Sequence, residues 1–81
     1  MRGEPIHHPR RVGRHVSGAL DLLAEIGARD VRVWKTKHVV IAFNVAGAEH
    51  ELRMACTPRD EDNALNVFRQ DLFRLALQVR G

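Results

Sequence analysis

The sequence predicts an α+β domain with the element order α-β-β-β-α, in which a three-stranded antiparallel sheet carries two helices packed on one face. Two segments with helical spacing of apolar residues enclose three short segments in which apolar and polar residues alternate. The connections between the alternating segments are short, which favours an antiparallel meander. With 81 residues, the chain has room for one such domain.

The first helix is predicted near residues 10–27. Apolar residues recur there at intervals of three and four positions and should lie on one helix face: Val12, Val16, Leu20, Leu23 and Ile26. Gly27 follows in the position typical of a helix end. Residues 1–9 contain two prolines and no periodic pattern. We therefore predict a flexible N-terminal arm over residues 1–9 and a single domain over residues 10–81.

The strands are predicted near residues 31–35, 38–45 and 49–55. Side chains alternate between the faces of a sheet, so one set should face the helices: Val31, Val33, Val39, Ile41, Phe43, Leu52 and Met54. The other set should lie on the open face: Arg32, Trp34, His38, Val40, Asn44, Glu51 and Arg53. A register shifted by one residue would bury Arg32 and Arg53, which is costly. His50 falls on the helix side and is predicted to be a core or rim histidine.

The second helix is predicted near residues 58–79. Thr57 is the expected N-cap, and Pro58 then occupies the first helical position. Three acids follow and suit the positive end of the helix dipole: Asp60, Glu61 and Asp62. The predicted buried stripe consists of Leu65, Phe68, Leu72, Leu75 and Val79.

The charge is unevenly distributed along the chain. Its formal net value is +3, but residues 1–40 carry eight Lys and Arg against four acids, whereas residues 41–81 carry five Arg against six acids. The basic half is therefore the half that a polyanion such as a nucleic acid would meet.

Several classes of protein and site are not expected. Cys56 is the only cysteine, which excludes an intramolecular disulfide and a cysteine-based zinc site. The histidines at positions 7, 8 and 15 show no ligand spacing, so we predict no metal site and no cofactor. No apolar stretch has membrane-spanning length, and the N-terminus lacks the apolar segment of a signal peptide. We expect a cytoplasmic protein without a membrane partner.

The strongest candidate site is the turn that contains Lys35, Lys37 and His38. A basic turn beside a histidine can hold a phosphate and transfer a proton, whereas the simpler interpretation is a solvated turn. Trp34 and Val40 should share the open face. They would either cover the sheet, stack on an unpaired base, or form a contact with a partner, including a homodimer through the sheet face.

Three segments resemble a known family: Leu23-Ala-Glu-Ile-Gly27, Val31-Arg32 and Lys35-Thr-Lys-His38. They are similar to the HicA-type toxins, mRNA interferases of bacterial toxin–antitoxin systems, within the fold of the double-stranded-RNA-binding domain. The resemblance implies an endoribonuclease whose catalytic histidine maps onto His38, with a small acidic antitoxin-like partner. The sequence departs from the family at Thr36-Lys37, where the family has Gly-Ser, and at Cys56-Thr57-Pro58, where it has Pro-x-His.

Three functions stay open at this point. The first is an RNA-directed protein, with or without cleavage by His38. The second is a non-catalytic nucleic-acid-binding module of phage or prophage type. The third is a protein-interaction module that uses the open sheet face. For both nucleic-acid alternatives the predicted contacts are basic: Arg11, Arg14, Arg32, Lys35, Lys37 and Arg59.

Overall fold

The computed structural model describes residues 4–80, with the side chains of residues 4–75. The elements are β1 (Glu4–Pro5), a 3-10 turn (Pro9–Arg11), α1 (Arg14–Glu25), β2 (Arg29–Lys35), β3 (Val39–Val45), β4 (Ala48–Met54) and α2 (Glu61–Arg80). All strand pairs are antiparallel, in the order β1-β2-β3-β4. The α+β class, the two helices and the meander are confirmed. The described residues do not include residues 1–3 of the predicted arm, residue 81 of the domain or the side chain of Val79.

The sheet has four strands, where the sequence predicts three. The additional strand β1 comes from the predicted arm, with Glu4 opposite Lys35 and Pro5 opposite Trp34. The N–H of Ile6 then donates to the carbonyl of Val33 at 2.9 Å. Two residues are too few to show an alternating pattern. Pro5 has no N–H to donate, and such a residue is tolerated on an edge strand.

Both helices pack on one face of the sheet and share a single core with it. The core residues from the helices are Val16, Ala19, Leu23, Phe68 and Leu72, and those from the strands are Val33, Val39, Ile41, Phe43 and Met54. The strand residues are those that alternation assigns to the helix side. His50 is on this side as predicted, with its ring 5.7 Å from the ring of Phe43.

Helix α1 is shorter than predicted and buries two residues that the predicted apolar stripe does not include, Ala19 and His15. It begins at Arg14 and ends at Glu25, so Val12 and Ile26 lie beyond its ends and are exposed. His15 is instead almost fully buried. Gly27 has φ +76°, which agrees with the predicted helix end.

Val31 is more exposed than its place in the helix-facing set predicts. Strand β2 contains a bulge between Arg29 and Arg32, where Asp30 has φ +54°. Among the described residues, β1 pairs only with the C-terminal end of β2, and no strand pairs with this edge of β2 beside the bulge. Val31 therefore lines an apolar groove with Leu20 of α1 and remains 39% exposed.

The start of α2 also differs from the prediction. The N-cap is Asp60, whose Oδ1 accepts the N–H of Asn63 at 3.1 Å while its carbonyl accepts the N–H of Ala64. Thr57 lies three residues earlier, in the connection after β4, and is exposed. The helix starts at Glu61 because the carboxylate of Asp60 satisfies an amide of its first turn.

Replacement of Asp60 by alanine should therefore cost about 1 kcal/mol of the free energy of unfolding, because the amide of Asn63 loses its acceptor. Thr57→Ala is the matched control and should change stability by less than about 0.5 kcal/mol. Denaturant titration of both variants measures the difference. A larger loss for Thr57→Ala would place the cap at Thr57.

The turn between β3 and β4 uses an unfavourable residue. Ala46 and Gly47 both have positive φ, 53° and 82°, between the paired residues Val45 and Ala48. Two-residue hairpin turns with positive φ at both positions prefer Asn-Gly, because a β-carbon is disfavoured in the left-handed region.

Replacement of Ala46 by asparagine should therefore stabilise the domain, by about 0.5–1 kcal/mol. Ala46→Val should destabilise it, because a β-branched residue fits positive φ poorly. The melting temperatures of both variants test the positive φ at position 46. A lower melting temperature with asparagine, or a higher one with valine, would contradict this turn geometry.

Candidate functional site

One end of the domain brings the predicted basic turn close to the start of α2. We call this region the turn end; it comprises the β2–β3 turn (35–38), the connection after β4 (55–60) and the first residues of α1 and α2. The thiol of Cys56 lies 3.6 Å from the carbonyl of Lys37, which joins the turn to the connection. Both helices begin here, so their partial positive charges are at the same end as the lysines.

The β2–β3 turn is held by its own hydrogen bonds. The N–H of Thr36 donates to the carbonyl of His38 at 2.9 Å, and the N–H of His38 lies 3.3 Å from the hydroxyl oxygen of Thr36. Lys35, the first residue of the turn, is paired with Val39, which follows the turn. The side chains of Lys35, Lys37 and His38 are exposed. The turn therefore presents two lysines and a histidine from a hydrogen-bonded backbone.

A buried histidine joins α1 to the connection and to α2. His15 is 2% exposed, and its Nε2–H donates to the carbonyl of Ala55 at 2.9 Å. Its backbone N–H donates to Oε2 of Glu61 at 3.2 Å, and the same oxygen lies 3.7 Å from Nδ1 of His15. Glu61, the first residue of α2, thus accepts an amide at the start of α1 and fixes the two helix N-termini next to each other.

Replacement of Glu61 by alanine should cost about 1–2 kcal/mol, because the His15 amide loses its acceptor and α2 loses a favourable charge at its N-terminus. Asp62→Ala removes the neighbouring charge without that amide contact and should cost about 0.5 kcal/mol. Denaturant unfolding measures both losses. Hydrogen exchange should show a faster rate at the His15 amide in Glu61→Ala alone; equal rates in the two variants would contradict the proposed role of Glu61.

The predicted basic residues differ in their availability. Arg32 is paired with Glu49, and its Nε donates to the carbonyl of Asp30 at 3.3 Å, away from the turn end. Arg14 lies 3.8 Å from Glu61. The other four are exposed and make no ion pair among the described residues: Arg11, Lys35, Lys37 and Arg59. Lys35, Lys37 and Arg59 belong to the turn end, and Arg11 lies just before α1.

Trp34 and Val40 lie on the outer face of the sheet, as predicted, but they are buried. With Ala42 they form a second small apolar cluster, in which the three side chains are 8%, 3% and 1% exposed. Trp34 stands opposite Val40 on one side and Pro5 on the other. A tryptophan in this position offers little ring surface to a base or to a partner protein.

The chemistry available on the surface of the turn end is that of one exposed histidine, His38, and several cations. His38 is exposed, and no acidic side chain hydrogen-bonds its ring within the described part of the chain. No three His, Cys, Asp or Glu residues in residues 4–75 are close enough together to hold a metal ion. No helix of the described chain is long and apolar enough to cross a membrane.

Comparison with known proteins finds no relative of this chain. No family model matches the chain, and neither a curated protein nor a solved structure is significantly similar to it.

Three residues support the turn end through contacts that were not predicted from the sequence. Thr36 closes the turn through its hydroxyl, Cys56 contacts its backbone, and Glu61 connects the helices. A hydroxyl residue inside a short turn is a usable local signal. The contacts of Cys56 and Glu61 join residues 19 and 46 positions apart, and no local pattern indicates them.

Proposed function

We propose that the protein binds RNA and that the turn end contacts the phosphate backbone. The observation that carries the proposal is the β2–β3 turn, where Lys35, Lys37 and His38 are all exposed on one hydrogen-bonded segment. Lysine side chains on a fixed backbone are suited to phosphate contacts, which supply most of the affinity of non-specific nucleic-acid binding.

The acids at the start of α2 are partly occupied by contacts within the protein. Asp60 caps α2, and Glu61 contacts Arg14 and His15. Their negative charge is therefore partly offset by the amides and cations that they meet, and Arg59 precedes them in the same connection. This arrangement leaves the neighbouring turn as the more basic part of the surface.

RNA, rather than DNA, is supported by the resemblance of residues 20–43 to HicA-type toxins and by the α-β-β-β-α order of the segment from α1 to α2. The same resemblance gives His38 a role in cleavage. Neutral His38 would accept the proton of a 2′-hydroxyl as its oxygen attacks the adjacent phosphorus. The bond from phosphorus to the 5′-oxygen then breaks, that oxygen takes up a proton from water, and His38 releases the proton that it accepted to the solvent. Lys35 and Lys37 would stabilise the charge on the phosphate.

Binding is tested by fluorescence anisotropy with single-stranded and duplex RNA at several salt concentrations. Lys35→Ala and Lys37→Ala should each weaken binding and reduce the slope of log affinity against log salt by about one. Arg69→Ala is the control, because it removes an exposed cation from α2 and should leave the slope unchanged. The proposal is wrong if the wild type binds no RNA at low salt, or if all three variants lose affinity equally.

Cleavage is tested separately, by incubating end-labelled RNA with the wild type and with His38→Ala. The wild type should produce fragments ending in a 2′,3′-cyclic phosphate, and His38→Ala should bind RNA without cutting it. The variant should fold normally, because the exposed ring leaves no cavity when it is removed. Wild-type protein that binds but does not cut RNA would establish the non-catalytic module.

An acidic antitoxin-like protein would compete for the same cations. If the turn end binds such a partner instead of RNA, the wild type should show no RNA binding. The lysine substitutions should then weaken the complex with the partner protein. The anisotropy experiment therefore separates an RNA-binding turn end from a protein-binding one.

A further inference from the structure

Strand β4 has an unpaired side. It is the last strand in the order β1-β2-β3-β4, and along all seven residues, Ala48–Met54, it pairs only with β3 within the described chain. An edge of this length presents backbone N–H and C=O groups that can pair with another strand. The opposite edge is partly covered by β1.

A groove lies between the C-terminal end of this edge and the start of α2. Its apolar lining is Met54, Ala55, Pro58, Ala64, Val67 and Phe68, and its polar lining is Arg53, Arg59, Asp60 and Asn63. Val67 is 50% exposed in this groove. A strand added to β4 would place its helix-side residues against α2 and cover Val67, as strands do when they extend a sheet beside a helix.

The open face of β4 carries charges that select the added strand. Glu49, Glu51 and Arg53 are exposed there. Glu49 is already paired with Arg32, whereas Glu51 and Arg53 make no ion pair among the described residues. A partner strand should therefore offer one cation and one anion two residues apart on its open face.

Strand β4 itself meets this requirement. We infer that β4 pairs antiparallel with β4 of a second copy of the chain, across a twofold axis at Leu52. Each Glu51 then lies opposite Arg53 of the other copy, and the two Leu52 side chains meet on the helix side. An axis at Glu51 or Arg53 would set like charges against each other, and an axis at His50 would set Glu51 against Glu49.

The pairing would join two four-stranded sheets into one of eight strands, with all helices on the same face and the two α2 helices beside the twofold axis. About this axis residues 50–54 of one β4 lie opposite residues 54–50 of the other, so five residues of each strand and a shallow groove make a small interface. Dimerisation should therefore depend on concentration over the micromolar to millimolar range.

Sedimentation equilibrium of the full chain tests this dimer. The wild type should shift from monomer to dimer as its concentration rises. Glu51→Arg and Arg53→Glu should each remain monomeric, because each variant sets like charges opposite each other twice. An equimolar mixture of the two variants should form a heterodimer, because every charge at the interface then meets its opposite. The mixture also shows that neither variant has simply failed to fold.

Arg69→Glu is the matched control. This substitution changes the charge by the same amount as Arg53→Glu. Arg69 lies one helical turn after Leu65, and Leu65 faces Gly18 of α1, so Arg69 is on a side of α2 away from the edge of β4. It should dimerise like the wild type. A wild type that stays monomeric at millimolar concentration would overturn the inference, as would dimers that persist in both single variants or a mixture that stays monomeric.

Discussion

Strand β3 is buried on both faces, and this double burial fixes the register of the whole sheet. Val39, Ile41 and Phe43 are inaccessible beneath the helices, while Val40 and Ala42 are covered on the other side. Burial of each large apolar side chain contributes about 1.5–3 kcal/mol. A shift of β3 by one residue would exchange Ile41 and Phe43 for the smaller outer residues and leave the core underfilled. The partners of β3 therefore occupy set positions, which place both the basic turn and the charges of β4.

The parts of the fold that could be predicted are those with a local pattern. Alternation identifies the core of β2, β3 and β4, and the helical spacing of residues such as Val16, Leu23 and Phe68 identifies the two helices. Strand β1 could not be predicted because a two-residue strand has no period and depends on its pairing with Trp34 and Lys35.

The cap of α2 was mispredicted for a related reason. Thr57 and Asp60 are both good N-cap residues, and Pro58 fits the first helical position after Thr57. The choice of Asp60 is coupled to Glu61, whose carboxylate must reach the His15 amide from the first position of α2. That tertiary contact is invisible in the sequence. The candidate turn was predictable because it is local, while the Cys56 contact that braces it was not.

The tryptophan on the outer face shows how burial redirects a functional interpretation. An aromatic residue on an open sheet is a reasonable platform for a base, and Trp34 is on the predicted face. Together with Val40 and Ala42, however, it covers the outer side of the central part of the sheet. Its contribution is thus to stability, because it shields β3 where no helix does. The cations at the turn end and the free edge of β4 are two features that stay exposed among the described residues.

The lysines and His38 proposed to contact phosphate are different residues from Glu51 and Arg53, which are proposed to pair at β4, although Arg59 of the turn end also lines the groove beside β4. In each chain the turn end lies beside the C-terminal end of β4, since Cys56 follows β4 and contacts Lys37. Antiparallel pairing of two β4 strands about Leu52 would therefore direct the two turn ends to opposite ends of the joined sheet. Each turn end would meet its own stretch of phosphates, and the charges of Glu51 and Arg53 would face each other rather than RNA. The proposed phosphate binding and the proposed self-association are therefore separable by substitution, because each would be governed by its own charged side chains.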